Sequence, residues 1–291
     1  MKKQTIKKTI IACSLFLTTI LFVGCQPKEP TITYSNLNDS ETRTLLKTLM
    51  EDANIPTQNQ NVLFKHIDQI NALLTKKELT NGFETHPINQ PKYDPYELQE
   101  RWDNTYPDFL GYNCRITAYT LLSNTIQTSS NTNARTDLLL FDLDALEADN
   151  SAAPQGTAQF EQIFSSIPTQ NTKDTNTHLT NIQNDWKQRN IQFKKDSPIH
   201  MISLVLHDQI DEDQLFIGHV GTLFTSQEKT LYFLEKIAFQ EPYQLCKFNN
   251  RKELNDYLML KYNTDYGQTT AAPLILEDDH LIENYQIIQP Q

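Results

Sequence analysis

The sequence is poor in the residues from which cofactor sites are commonly built. Its 291 residues include only seven glycines, and none of them form a loop that surrounds a phosphate group. The seven histidines are scattered and lack the H-E-x-x-H spacing of a zinc site. Acidic residues cluster between His207 and Asp213, but without the alternating ligands and central glycine of a calcium-binding loop. The sequence therefore predicts no nucleotide, metal or other cofactor, and a solvated turn at this loop.

Acidic residues outnumber basic residues, and this excess of negative charge disfavours some classes of binding partner. The chain has 25 lysines and arginines against 36 aspartates and glutamates, a formal net charge of −11. Four of the lysines lie within the first eight residues, so the chain after residue 24 has a net charge of −15 (−11 minus 4). An acidic surface repels a phosphate backbone. A nucleic-acid partner is therefore not expected.

Long apolar runs are absent except near the N-terminus. The four lysines precede the apolar run 9–23, which is short for a transmembrane helix, so residues 1–24 have the pattern of a signal peptide. The run ends in Leu21-Phe22-Val23-Gly24-Cys25, which resembles the lipobox of bacterial lipoproteins. That resemblance implies that Cys25 carries fatty acyl chains such as palmitate and anchors the protein on the extracellular face of the cell membrane. The alternative is an uncleaved hydrophobic anchor.

Cysteine is also scarce beyond Cys25, since only Cys114 and Cys246 follow it. Two thiols do not make a disulfide scaffold. We expect them to be unbonded, because Cys114 begins a predicted helix whereas Cys246 lies in a predicted turn after the sheet. A disulfide between them and an inert buried thiol at Cys114 are the two alternatives.

Helical patterns come first in the chain and strand patterns last. A polar, proline-containing tether is expected at residues 25–34, then a helical region at 35–110 and an α+β domain at 111–291. Helices are predicted at about 39–52, 61–76, from Asp94 onward, from Asn113 to 122, and at 158–167, 174–190 and 250–262. Strands are predicted at 201–207, 215–225, 230–239 and 273–276. Short polar loops join the three long strands, so the sheet is antiparallel and the fold class is α+β.

Three residues are candidates for a catalytic site: Cys114, His219 and Glu235. Asn113 is a good N-cap, which places Cys114 in the first turn of a helix, where the helix dipole lowers the pKa of a thiol. His219 and Glu235 lie on consecutive strands, and an odd-length hairpin loop brings them directly opposite each other on one apolar face. An even-length loop opposes His219 to Lys236 instead. A thiol, a base and an orienting carboxylate are the parts of a nucleophilic site.

Each candidate also has a structural interpretation. His219 alone is more typical of a buried core histidine, and Glu235 alone is compatible with an ion pair to Lys236. Gln240 and Glu241 are alternative orienting groups for the imidazole. Asn113, Tyr112 and Arg115 are candidates for an oxyanion or substrate site, or for structural neighbours of the cysteine.

The order of these residues resembles a known superfamily. A cysteine on a helix start, then a histidine strand such as Gly218-His219-Val220-Gly221, then a polar residue on the next strand is similar to the papain-like peptidases and cell-wall amidases of the NlpC type. Those enzymes commonly have aspartate before the cysteine, whereas this chain has Asn113. The resemblance implies a papain-like α+β fold and a cysteine hydrolase.

A second resemblance covers most of the chain after the tether. The segments Phe109-Leu110-Gly111-Tyr112-Asn113-Cys114-Arg115-Ile116, Phe216-Ile217-Gly218-His219-Val220-Gly221 and Phe239-Gln240-Glu241-Pro242-Tyr243-Gln244 are similar to Gram-positive lipoproteins catalogued as domain of unknown function 4300. This resemblance implies a surface lipoprotein and names no substrate. From the residues we expect a lipid-anchored cysteine hydrolase that cleaves an amide in an extracellular peptide or wall substrate. The alternative is a non-catalytic binding or envelope-maintenance lipoprotein.

Overall fold

The computed structural model describes residues 29–129, 134–267 and 269–290. The predicted signal peptide and Cys25 lie outside these residues. Within them, no helix combines the length and the hydropathy that crossing a membrane requires.

Most helices begin where the sequence supplies a capping residue. Asp39, Asp94, Asn113, Asp174 and Asn250 each accept a backbone hydrogen bond at a helix start, which satisfies an otherwise unpaired N–H group. The α-helices of the described residues are α1 (Ser40–Asp52), α2 (Thr57–Asn71), α3 (Pro95–Thr105), α4 (Cys114–Leu122), α5 (Leu140–Ala148), α6 (Thr157–Phe164), α7 (Thr175–Gln188) and α8 (Arg251–Tyr262). The sequence patterns miss only α5, whose apolar residues do not share one side.

The strands form a mostly continuous antiparallel sheet. They are β1 (Thr31–Ser35), β2 (Glu84–Pro87), β3 (Ile126–Gln127), β4 (Ile167–Pro168), β5 (Gln192–Phe193), β6 (Ile199–Asp208), β7 (Gln214–Thr225), β8 (Leu231–Lys236), β9 (Tyr243–Phe248), β10 (Leu274–Glu277) and β11 (His280–Leu281). The sheet order is β11-β10-β6-β7-β8-β9-β1-β2, with β4 also paired to β7, while β3 and β5 pair separately. The predicted α+β class with an antiparallel sheet is confirmed.

Two hydrophobic clusters cover the two faces of this sheet. The larger cluster joins side chains of α1 to α7 to the face that carries Val220 and Leu234. The smaller one packs Leu254 and Leu258 of α8 against the face that carries Phe233. The helices of region 35–110 therefore share one core with α4, and α8 alone among the α-helices contributes to the second cluster.

An irregularity in β7 decides which face each of its residues occupies. Leu204 of β6 pairs with His219, whereas the next residue, Val205, pairs with Ile217, so Gly218 is an extra residue in β7. A bulge of one residue shifts the alternation of side chains between faces. Glycine suits this position, because a Cβ atom there would lie 2.4 Å from Cδ1 of Leu206.

The bulge overturns part of the predicted facing pattern. Leu215, Ile217 and Leu223 are odd-numbered like His219, so the alternation of a regular strand predicts that they all share its face. Leu223, after the bulge, does lie in the smaller cluster with Phe233. Leu215 and Ile217, before the bulge, belong to the larger cluster instead. The prediction is therefore wrong for the first half of β7 and right for the second.

The end of the predicted tether is part of the sheet. We expected residues before about Thr33 to pack on nothing, but β1 begins at Thr31 and pairs with both β2 and β9. Ile32 is only 5% exposed and lies in the smaller hydrophobic cluster. The alternation of Thr31, Ile32, Thr33 and Tyr34 is that of a strand, and the nearby prolines obscured it.

The third long strand is shorter than predicted, and another strand follows it. β8 ends at Lys236 rather than near Phe239, and the predicted turn around Tyr243 and Cys246 is the strand β9. Every residue of β9 except Lys247 is buried. Because both faces of this strand are covered, its sequence does not alternate, and the pattern did not reveal it.

We predict that replacing Ile32 with alanine lowers the free energy of unfolding by about 2 to 4 kcal/mol, because it removes buried apolar volume from the sheet. Urea unfolding followed by circular dichroism measures this change. Thr31→Ala is the control, since Thr31 is exposed on the same strand. Equal stability of the two variants would mean that β1 behaves as a loose tether.

Candidate active site

Cys114 is the first residue of α4, as predicted. The Asn113 side chain accepts a hydrogen bond from the backbone N–H of Ile116 at 3.0 Å, so Asn113 caps the helix. The unpaired N–H groups of a helix start carry partial positive charge, which favours a thiolate there. The Cys114 side chain is 7% exposed. The thiol therefore lies at the edge of the core, on the positive end of a helix.

Asp142 fixes the two residues that flank Cys114. Its carboxylate accepts hydrogen bonds from Nδ2 of Asn113 at 2.7 Å and from Nε and Nη2 of Arg115 at 2.9 and 2.7 Å. Asp142 is 1% exposed, so this is a buried, two-point contact with the guanidinium. The sequence patterns do not indicate a role for Asp142, because it lies on α5, whose apolar residues do not share one side.

Arg115 also joins α4 to the histidine strand. Along one edge of β7, Leu215 pairs with β4 and the pairing with β8 starts only at Gly221. In the gap between these pairings, Nη1 of Arg115 donates a hydrogen bond to the carbonyl of Ile217 at 3.1 Å. The guanidinium thus satisfies a backbone group of the bulged segment, two residues before His219.

His219 and Glu235 form a buried pair. Nε2 of His219 donates to Oε2 of Glu235 at 2.7 Å, and the two residues are 2% and 0% exposed. The hairpin loop 226–230 has an odd length, so the odd-length alternative is correct and both side chains share one face. They are not directly opposite, however, because Glu235 pairs with Gly221, and His219 lies two residues before Gly221 in β7. The contact is diagonal, and glycine opposite Glu235 presents no side chain between them.

Glu235 is the centre of a wider hydrogen-bond network. Its Oε1 accepts a hydrogen bond from the hydroxyl of Tyr257, and the thiol of Cys246 lies 3.5 Å from the same oxygen. Burial raises the pKa of the Glu235 carboxyl, but the charge of Lys261 and the hydrogen bonds from His219 and Tyr257 outweigh burial and bring it to about 2. Glu235 is therefore a carboxylate, although no part of it contacts solvent.

The thiol and the imidazole interact directly. Nε2 of His219 is hydrogen-bonded to Glu235, so Nδ1 is the ring nitrogen that can contact a thiol. Burial raises the pKa of Cys114, but its hydrogen bond to His219 and the charges of His219 and Arg115 lower it below its usual value. Burial lowers the pKa of His219, and the hydrogen bonds to Cys114 and Glu235 reverse this effect and raise it to about 9. At neutral pH these directions favour a thiolate beside an imidazolium.

Two aromatic rings enclose the imidazole. Tyr262 stacks on His219 with ring centroids 4.4 Å apart and an interplanar angle of 21°. Phe233 approaches the imidazole edge-on, at a centroid distance of 6.5 Å. The sequence predicts the helix that carries Tyr262, but nothing in its pattern indicates which residue faces the sheet.

Tyr262 also lines a cavity. Its volume is about 520 Å³, and its walls include Leu206, Phe216, Tyr262 and Asp208. This volume lies in the range of ligand pockets in proteins. Tyr262 therefore contacts both the cavity and the imidazole, whereas neither His219 nor Cys114 is part of the lining.

The other candidate residues have partners elsewhere. The hydroxyl of Tyr112 donates to Asp149 at 2.6 Å, and its ring stacks on His66. Gln240 donates to the carbonyl of Leu110, and Glu241 accepts from the hydroxyl of Tyr93. Glu235 is therefore the carboxylate that contacts His219.

Lys236 does not pair with Glu235 but closes the turn after β8. It is 2% exposed, and its ammonium donates to the carbonyls of Ala238, Phe239 and Glu241. Burial lowers the pKa of Lys236 to about 7. The same turn touches the segment before Cys114, where Gly111 has a φ of +94° and a Cβ atom would lie 2.8 Å from the Phe239 carbonyl. Glycine is required at this close approach.

The two downstream cysteines are unbonded. Cys114 and Cys246 are both free thiols, which confirms that prediction. Cys246 is 0% exposed, and burial together with the charge of Glu235 raises its pKa well above the usual value. Among the described residues, no group of three histidine, cysteine, aspartate or glutamate side chains is arranged to hold a metal ion. In the acidic loop, Glu212 pairs with Arg135.

These features define an α+β protein with a thiol, an imidazole and a carboxylate in line at the end of a β-hairpin. The profile of the family described as Domain of unknown function (DUF4300) matches residues 33–282. The chain therefore belongs to this family, which confirms that resemblance. Neither a curated protein nor a solved structure matches the chain.

We predict that Asp142→Ala lowers the free energy of unfolding by about 3 kcal/mol, because it leaves a largely buried guanidinium without its carboxylate. Chemical denaturation measures the loss. Asp144→Ala, at an exposed position of the same helix, is the control and changes stability little. A similar loss in both variants would show that the effect comes from α5 in general.

Proposed function

We propose that the protein is a cysteine hydrolase that cleaves an amide bond in a peptide-like substrate. The observation that carries this proposal is the line from Cys114 through His219 to Glu235, in which the imidazole contacts both a thiol and a carboxylate. A buried structural histidine needs partners for its nitrogens, but it does not need a thiol whose pKa is lowered. Nucleophilic catalysis needs that pairing.

Each residue of this line has a role in the reaction. The Cys114 thiolate attacks the amide carbonyl and forms a tetrahedral oxyanion, which backbone N–H groups at the start of α4 stabilise. The His219 imidazolium donates its proton to the leaving nitrogen, the C–N bond breaks, and an acyl-thioester remains on Cys114. Neutral His219 then takes a proton from water, which attacks the thioester and releases a carboxylic acid and the thiol. Glu235 holds the imidazole in orientation throughout.

The surroundings of the site support a peptide-like substrate. The cavity beside Tyr262 combines apolar walls, such as Leu206 and Phe216, with the carboxylate of Asp208. Such a mixture suits a chain that alternates apolar groups and amides. The chain also has an excess of acidic residues, which favours neutral or basic substrates over acidic ones.

We also propose that the protein is held on the outer face of the cell membrane by a lipid on Cys25. The support is the basic start, the short apolar run and the Gly24-Cys25 pair at its end. β1 starts at Thr31, so only a few residues separate the lipid from the folded domain. The site would thus act on extracellular material close to the membrane, such as wall peptide.

We predict that iodoacetamide alkylates Cys114 faster at pH 7 than it alkylates the same cysteine in denatured protein, because the lowered pKa increases the thiolate fraction. The rate rises with pH through this lowered pKa. His219→Gln is expected to slow alkylation at pH 7 by about tenfold or more, since it removes the neighbouring positive charge. Peptide mass spectrometry at timed points measures each rate.

Two controls accompany this experiment. Cys246, buried and with a raised pKa, is an internal control and should stay unmodified in the folded protein. His200→Gln, on the adjacent strand β6, tests whether loss of any histidine near the sheet has the same effect. Slow alkylation of wild-type Cys114, with no dependence on His219, would reject the hydrolase and leave the binding lipoprotein as the function.

We predict that the mature protein begins at Cys25 and carries fatty acyl chains there. Mass spectrometry of the protein extracted from membranes should show the N-terminal peptide with the added lipid mass. Cys25→Ser should abolish both the modification and the cleavage after Gly24. An unmodified Cys25 in the wild-type membrane fraction would contradict the anchor.

A further inference from the structure

The lining of a second cavity includes Gln244, the residue of β9 that pairs with Glu235. The volume of this cavity is about 190 Å³, and β1, the segment after β2, the turn after β8, β9 and α8 each contribute to its lining. The lining includes the charged residues Glu241 and Lys261 together with Gln244. The charge of Lys261 helps to keep the Glu235 carboxyl ionised, whereas Glu241 has no part in the proposed chemistry at Cys114.

The two charges share one cavity without pairing with each other. Glu241 accepts a hydrogen bond from the hydroxyl of Tyr93 at 2.6 Å, and Lys261 donates one to the hydroxyl of Tyr257 at 3.0 Å. Neither residue has an oppositely charged side chain within 4.0 Å among the residues that the structure describes. The charge of Lys261 also lowers the pKa of Glu235, and the charge of Glu241 raises the pKa of Lys236. The ammonium of Lys261 has three N–H donors and the carboxylate of Glu241 has two acceptor oxygens, so both groups can still bond a ligand directly.

A buried acceptor lies in the same cavity. Gln244 is 5% exposed, and its Oε1 has no hydrogen-bond partner. An unpaired buried carbonyl oxygen is unfavourable, so a ligand that supplies a donor would stabilise it. Gln244 pairs across the sheet with Glu235, which places this acceptor on the same row as the candidate active site.

We infer that this cavity is a binding site for a small zwitterion, with the chemistry of a free amino acid. The ligand's ammonium would donate to Glu241 and to Oε1 of Gln244, and its carboxylate would accept from Lys261. A ligand that carries both charges matches two opposite charges held apart better than a simple cation or anion does. The site does not depend on the proposed hydrolase activity.

The size and the walls restrict the ligand further. A volume of about 190 Å³ corresponds to roughly six water molecules. Ile32, Ile88 and Ile237 supply apolar surface. The cavity therefore fits an amino acid with a small apolar side chain, and L-alanine is a suitable probe.

Calorimetric titration of the full chain in mild detergent tests this inference. L-alanine should bind at one saturable site. Ethylamine, which lacks the carboxylate, and propanoate, which lacks the ammonium, should each bind at least about tenfold more weakly, because each loses one charge-assisted contact. Equal binding of either fragment, or no binding of L-alanine at millimolar concentrations, would overturn the site.

Variants locate the binding within the molecule. Lys261→Met and Glu241→Gln should each weaken L-alanine binding by about tenfold or more. Lys252→Met is the matched control, because Lys252 lies on the same helix α8 and pairs with Asp256. Circular dichroism checks that each variant is folded, and Gln244→Leu provides an independent third change. Unchanged affinity in all three folded site variants would place the binding elsewhere.

Discussion

The burial of the Glu235 carboxylate is the constraint on which this end of the molecule depends. A charge with no solvent contact is stable only if donors surround it, and removing one of them costs several kcal/mol. The donors come from three different elements: His219 from β7, Tyr257 from α8 and Cys246 from β9. Their side chains must converge on one point, so the hairpin, the next strand and the C-terminal helix hold fixed positions relative to one another.

Local signals in the sequence predicted the parts of the site that depend on local physics. An asparagine before a helical pattern indicated that Cys114 starts a helix. The sequence leaves open whether the loop between β7 and β8 is odd or even in length, and the pairing of Thr225 with Leu231 shows that it is odd. The bulge at Gly218 was not predictable, because an extra residue in one strand is defined only against its partner. Asp142 was missed for a similar reason, since its role depends on contacts with residues distant in sequence.

β8 ends before its apolar alternation does, and Lys236 explains why. Ile237 and Phe239 continue the apolar alternation. The Lys236 ammonium, however, donates hydrogen bonds to the carbonyls of Ala238 and Phe239, which stabilises a turn there. A buried ammonium needs hydrogen-bond acceptors, and the turn that brings backbone carbonyls to Lys236 prevents these residues from pairing with β7. The strand pattern therefore shows which residues are apolar, but the position where the backbone leaves the sheet is set by the hydrogen bonds of Lys236.

The bulge at Gly218 divides the chain into parts with different tolerance to changes of length. The loop 209–213 lies before the bulge, so adding or removing residues there leaves the facing of His219 unchanged. Between Gly218 and Glu235, by contrast, loss of one residue turns either the histidine or the carboxylate to the opposite face of the sheet. Homologous chains that keep this site can therefore vary freely in the first loop, whereas the hairpin between the histidine and the carboxylate must keep an odd-length loop.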